Sequence, residues 1–470
     1  MSKGKKIKDP ELTAEQFLKF VEEHTSARMA GFVHPASESG RTRSDWGTSE
    51  LPLSVADIKI ITNRAARAYK SHTWLKAAVE VIRVNVIEKG LKPRPVIKKQ
   101  NGEINKSLNE EITEQWKRFN DYAFTGNFTF YQKQHTILKS MLVTGACYII
   151  KIASLKDSPF NFSLKLKDNR HLDFTKDTFG ENKDKSYVKH GIKYDKDGEP
   201  VEYYFKDYKN AIPADRVIAA YFEDLADENI GLSIFLQSLP TIYDIESIIK
   251  YQLLSTRLTA GIALWSKTGD APKVKEMSPL SIMTSESKPE VIEGTSRVNQ
   301  EIVPLIDTCL TSIASSLGLS KAALMRDTLK ESFSGGRLRS LNDELTYETL
   351  SKAFCKAALQ PVYVWFLSDI IISGKLSVKS TEYTRDKWTY HQAYWQGKLK
   401  EYIDPLDQAN TDATKIKNRL MSFKDYYQSK GKDWRVELDQ IAEEAKYMRD
   451  HGLTVDQWGE HVKSNSEKEK

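Results

Sequence analysis

The sequence predicts an α+β chain that is mainly helical, on three observations. Apolar residues recur at helical spacing over long stretches, the longest from Leu338 to beyond Val362. Residues 145–220 instead alternate apolar and polar residues in short runs broken by turn residues. The 470 residues are 40% apolar and 29% charged, an ordinary soluble balance with ample material for a core, and the length suggests roughly two to four domains.

Residues 1–55 are polar, with one helical stretch at Thr13–Glu23 and a loop-like run from His34 to Leu53. They read either as an extended arm that drapes over a neighbour or as a disordered tail. A helix pair follows, Val55–Tyr69 and His72–Ile87, stopped by Gly90 and turned into an extended strand by Pro93. Arg64, Arg67, Lys70, Lys76 and Arg83 lie along it, as a solvated face or a DNA contact. Further helices are expected at Glu110–Tyr122 and Phe128–Leu142, and strands from Val143 onward.

The clearest strand signal is Gly191–Phe205, two alternating runs around Lys196-Asp197-Gly198. Asp195 and Asp197 hint at a calcium loop, but the later ligands and the bidentate Glu are missing, so a turn is expected. Helices at Pro240–Leu264 and Arg297–Leu317 flank an irregular, proline- and glycine-punctuated stretch, Lys267–Thr295. Gly318 is expected to stop the second helix and Ser320 to cap the next turn. Arg326–Gly336 has little periodicity and reads as a loop. The long helix then runs to a kink at Pro361 and on through Trp365, Phe366 and Ile370; at about 1.5 Å per residue it is long enough to wall a large assembly. Gly374–Arg385 reads as extended, and helices are expected at Leu406–Met421, Ser422–Lys430 and Asp433–His451, before a charged tail from Ser464.

Several function classes are disfavoured. Seventy basic and 64 acidic residues leave a net charge of only +6, too mild for a dedicated nucleic-acid binder. Cys147, Cys309 and Cys355 have no close spacing and apolar neighbours, as small core residues in a reducing cytoplasm would. No signal peptide or uninterrupted membrane-spanning run is evident, since Lys356, Gln360 and Asp369 interrupt Phe354–Ile372. Phosphate-cradling loops, zinc-ligand spacings and the nucleophile elbow are absent, so no catalytic residue, metal or cofactor is expected.

Short phrases in order carry a resemblance. They are Asn85-Val86 with Gly90-Leu91 and Pro93, Ile212-Pro213-Ala214 with Val217-Ile218, Gly231 with Ser233, Leu317-Gly318-Leu319-Ser320 with Asp327, Ser332–Arg337, and Ile403-Asp404-Pro405. Together they resemble the portal proteins of tailed bacteriophages, lambda-type branch. In that branch the loop usually reads Asn-Tyr-Ser-Ser-x-Arg; here Phe333 stands for Tyr, Ser334 matches and Gly335 departs. An Arg of the family is replaced by Ile230, and an Asp by Thr144.

The resemblance covers about residues 60–455. It implies an N-terminal arm at 1–55, a wing of helices and antiparallel sheet at 56–236, stem helices at 237–264 and 296–320, and a clip at 265–295. A tunnel loop at 321–336, a spine helix with wing return at 337–402 and a helical crown with tail at 403–470 complete it. It further implies a ring, usually of twelve copies, at one capsid vertex of a virion assembled in the host cytoplasm. Double-stranded DNA would pass through it, with terminase, capsid or scaffold protein and a head-completion adaptor as partners, and without a membrane. Arg326, Lys330, Phe333, Ser334 and Arg337 would line the channel. The cations Arg326, Lys330 and Arg337 would meet phosphates there, or instead pair with Asp327 and Glu331 across subunits. A prophage-derived or gene-transfer particle with the same ring, and a monomeric enzyme, are the alternative readings.

Overall fold

The computed structural model describes residues 55–99, 102, 104–154, 158–176, 186–224, 229–261, 264–266, 282–284, 295–326, 333–396, 405–429 and 434–451. The expected arm helix, the loop from His34 to Leu53, most of 267–295, Lys330 and the tail lie outside these residues.

Helices α1 (Val55–Ser71) and α2 (Thr73–Ile87) meet at His72, whose extended backbone breaks the helix. The buried His72 ring then reaches Glu246, with Nδ1 2.6 Å from Oε1. After α2 the chain turns through Gly90, at φ +108°, where a Cβ would lie 2.7 Å from that of Tyr131. Strand β1 (Lys92–Pro95) follows, and the Gln134 amide holds the backbone of Leu91 just before it, accepting from its N–H and donating to its carbonyl. Asn105 caps α3 (Lys106–Tyr122), and a reciprocal Thr129–Gln132 box caps α4 (Phe130–Thr144).

Strands were expected from Val143, but α4 runs through Thr144 and the change comes at Gly145, at φ +93°. A Cβ there would lie 2.1 Å from the Gly231 carbonyl oxygen, so only glycine lets the two backbones pass. Strand β2 (Ala146–Ala153) pairs antiparallel with β3 (Phe162–Asp168). The strands β4 (Ser186–Lys189), β5 (Ile192–Asp195), β6 (Pro200–Tyr203) and β7 (Ile212–Pro213) form a second antiparallel sheet, and β8 (Val217–Tyr221) returns to the free edge of β2. The expected single sheet is therefore two. They share β2's neighbourhood because β2 buries both faces: Cys147 and Ile149 enter the larger core, while Tyr148 and Ile150 enter a smaller one with Tyr194, Tyr203 and Phe205.

The next two long helices are α5 (Leu239–Gly261) and α6 (Thr295–Ser316). Between them the described pieces are β9 (Leu264–Ser266) and β10 (Ile282–Thr284), which pair in parallel. The single turn α7 (Lys321–Met325) leads towards α8 (Phe333–Phe354), which continues through a π-helical turn, Cys355–Leu359, into α9 (Gln360–Ile372). The kink expected at Pro361 is thus a π-turn just before it. Proline lacks the N–H of a regular helical bond, and the Gln360 N–H reaches back to the Cys355 carbonyl instead.

Gly374, at φ +66°, ends α9, and the expected extended segment contains α10 (Ser380–Arg385) before α11 (Lys387–His391) and β11 (Ala393–Gln396). Strand β11 pairs antiparallel with β1, joining distant parts of the chain. Helices α12 (Pro405–Lys417), α13 (Phe423–Ser429) and α14 (Trp434–Asp450) follow close to expectation. The larger core is centred on aromatic rings: Trp116 and Phe119 sit 5.0 and 5.2 Å from Phe366 of α9, and Phe130 and Phe162 close around them. This body holds the end of α9 fixed, so α8 leaves it in a defined direction.

Candidate functional site

The segment singled out from the sequence begins where α6 ends. Gly318, at φ +67°, stops the helix as expected, and the N–H groups of Gly318 and Leu319 donate to the carbonyls of Ser315 and Ala314. Ser320 then caps α7, its hydroxyl accepting from the Ala323 N–H at 3.1 Å. Both expectations follow from local residue chemistry, and both hold.

A carboxylate from α8 locks this turn in place. Asp343, buried, accepts from the Ser320 N–H at 2.7 Å and from its hydroxyl at 2.6 Å. Three residues on, the Thr346 hydroxyl donates to the Gly318 carbonyl at 2.9 Å. Lys321 pairs with Asp307 of α6, and the hydroxyl of Ser238, just before α5, meets that of Ser316 in α6 at 2.7 Å. Burial, with the Asp343 charge nearby, pushes the Tyr347 hydroxyl well above the usual tyrosine range, so it stays neutral beside the lock.

Asp343 and Thr346 were not anticipated. A signal was present: Asp343 shares the helical phase of Leu350 and Phe354, so a carboxylate falls on the face that turns inward. A charge on that face requires partners, and the Ser320 cap supplies them.

The loop itself is shorter than expected. Helix α8 starts at Phe333, so Phe333, Ser334, Gly335, Gly336 and Arg337 are helical rather than part of the connection. The four residues before Arg337 extend the helix because nothing among them forbids helical dihedrals. Arg326 ends α7 in the left-handed region, φ +52°, and is exposed; Arg337 is exposed in the second turn of α8. Lys330, with Asp327 and Glu331, lies outside the described residues.

Other residues raised by the sequence have structural roles. Arg83 donates to Glu80 at 2.6 Å and meets His135 Nδ1 at 3.1 Å, and Lys139 pairs with the same Glu80 at 2.7 Å. Burial alone would raise the Glu80 carboxyl, but the Lys139 and Arg83 bonds outweigh it and hold it low. Asp195 accepts from the N–H groups of Asp197 and Glu199, both at 2.9 Å, so its carboxylate closes the hairpin turn. Cys147 and Cys355 are buried thiols, and burial pushes Cys355 up to about 12. Among the described residues no group of three or more His, Cys, Asp or Glu side chains is placed to hold a metal ion.

What this geometry defines is a scaffold: the turn that follows α6 is locked to α8 through a buried carboxylate, and Arg326 and Arg337 stand exposed beyond it. Residues 39–350 match the phage portal protein family of lambda type, and the chain belongs to that family, a structural one. No curated protein matches it. Among solved structures it is similar to a chain of "Neck of native GTA particle computed with C12 symmetry", at 10% identity and TM-score 0.39, covering 78% of this chain and 92% of that one. It is also similar to a chain of "Virion of native gene transfer agent (GTA) particle", at 12% identity and TM-score 0.38, covering 83% and 94%.

Proposed function

We propose that this chain is the subunit of a portal ring that sits at one vertex of a phage-type capsid and through which double-stranded DNA passes. The observation that carries this reading is the family match over 39–350, which spans both long helices α5 and α6 and the locked start of α8. In this reading 56–236 is the wing, α5 and α6 are the stem, 265–295 is the clip and 403–470 the crown. The β1–β11 pairing supports a return of residues 337–402 to the wing. Terminase and a head-completion adaptor dock on the ring, and its work is mechanical rather than catalytic.

The connection between α7 and α8 faces the channel. Arg326, Lys330 and Arg337 offer charge to DNA phosphates without reading sequence, beside Phe333 and Ser334. The buried Asp343 lock supports this role, because it fixes the base of the connection while Arg326 and Arg337 stay exposed. Particle mass by mass photometry of the full chain, followed by electron-microscope class averages, tests the reading. A ring of about a dozen subunits with a central hole is expected; a compact dimer or tetramer without a channel would overturn it. With Lys330 and Arg337 both changed to Ala, packaging and DNA retention should fall, and unchanged values would remove the phosphate role.

A further inference from the structure

One cluster of titratable groups joins two core helices, α2 and α4, and has no part in the proposed channel. Arg83 of α2 places Nη1 of its guanidinium 3.1 Å from Nδ1 of His135 on α4. An arginine can only donate, so this ring nitrogen accepts and the histidine proton sits on Nε2. The contact exists only with a neutral imidazole.

Both cations beside the ring already share one carboxylate: Arg83 Nε donates to Glu80 at 2.6 Å, and Lys139 pairs with it at 2.7 Å. Tyr69 of α1 reaches the same carboxylate, its hydroxyl donating at 3.4 Å. Among the described residues Arg83, Lys139 and Glu80 are the charged groups that act on His135. The other elements packed against α4, namely α3, β2, β3 and the turn at Asn169–His171, contribute none. Burial first, then Arg83 and Lys139, hold the imidazole below the ordinary histidine value, and Glu80 opposes them only in part. Glu80 is itself held low, so it stays ionised where a histidine titrates.

Helix α2 connects this cluster to the locked turn. It packs against both α7 and α8, and one turn beyond Arg83 the Val86 carbonyl accepts from the Ser351 hydroxyl of α8 at 3.4 Å. On protonation Nδ1 becomes a donor facing a donor, and a third positive charge joins Arg83 and Lys139 around one carboxylate. We infer that the Arg83–His135 contact is an acid-released latch between α2 and α4, closed while the imidazole is neutral and opened by one proton. Its release loosens the helix against which α7 and α8 rest. The stabilisation is fully present above the unfolded histidine value of about 6.5 and is lost as pH falls through the lower folded value. The latch lies within one subunit and needs no ring.

Amide hydrogen exchange of the full chain, read by mass spectrometry at about pH 7.5 and about pH 5.5 and corrected for the intrinsic rate at each, tests the latch. In wild type, peptides from α2 and from the part of α4 around His135 should lose about threefold or more of their protection in acid. In His135→Asn, whose amide oxygen can take the Arg83 hydrogen bond but no proton in this range, that loss should vanish. Every other histidine is common to both chains, so the difference belongs to His135. Wild-type protection that is the same at both pH values, or an equal acid loss in His135→Asn, would overturn the latch. Exchange of the carbon-bound imidazole hydrogen of His135, followed on the wild-type chain over the same range, gives its titration midpoint without a substitution. A midpoint below about 6.5 is expected, and one at or above it overturns the inference whether or not the variant folds.

Discussion

The rod formed by α8 and α9 is apolar along most of its length, yet its two ends behave differently. Phe354, Val362, Tyr363, Phe366 and Ile370 are buried, Tyr363 and Phe366 against the Trp116 ring of α3, while Leu338, Leu341 and Leu345 face outward. One end is finished by its own chain; the other presents the same kind of side chain to whatever lies next to it. Helical spacing alone reads both ends alike, because it reports which residues share a face and not what that face meets. The difference teaches that leucine on a helix marks a surface to be covered, and that the cover need not come from the same subunit.

Substitution should separate the ends. The largest effect belongs to the buried end: Phe366→Ala removes a ring that touches Trp116 and Phe119 and should cost about 3–5 kcal/mol, read as a lowered denaturant midpoint. A loss as small as that of a surface change would mean the aromatic core does not hold α9. Next comes the lock between the ends. Asp343→Ala leaves the half-buried Ser320 N–H without its acceptor and should cost about 1–3 kcal/mol, with faster amide exchange at Ser320 and Ala323 as the local sign. Protection unchanged there would show that α7 is held by something else.

A smaller effect should appear at the end of β3, with a distinct pH dependence. Burial works to raise the Asp168 carboxyl, but its bonds to Arg170 and His171 prevail and hold it below the usual range. Its contribution is therefore fully present above the unfolded value of about 4 and fades as pH falls through the lower folded value. Asp168→Asn should cost about 1 kcal/mol near neutrality, and the gap to wild type should close in acid. A gap constant with pH would assign the loss to packing.

The smallest effect on stability is expected at the outward end. Leu345→Ser should leave subunit stability within about 0.5 kcal/mol of wild type, since the side chain is largely exposed, while weakening assembly. A large loss in the isolated subunit would break the contrast between the two ends.

Much of this was legible in the chain. The Gly318 stop, the Ser320 cap and the hairpin around Gly198 depend on a few adjacent residues, so local chemistry predicts them. The division of residues 145–220 into two sheets was not, because it depends on β8 pairing with β2, far from it in sequence, rather than with the neighbouring β7. Asp343 stands between these cases: its phase announces burial, but its partner belongs to another element. Leu341 and Leu350 lie nine residues apart, on opposite faces of α8, and their shared apolar character did not say which face the fold covers.

The π-turn at Cys355–Leu359 carries one residue more than a regular helix of the same length needs. Each residue of an α-helix advances the direction of its side chains by about 100°. That surplus residue is therefore a compass setting: it fixes the bearing at which Leu341 points relative to Phe366. Deleting one residue there would keep the rod continuous and swing the outward stripe by about a quarter turn or more away from its present heading.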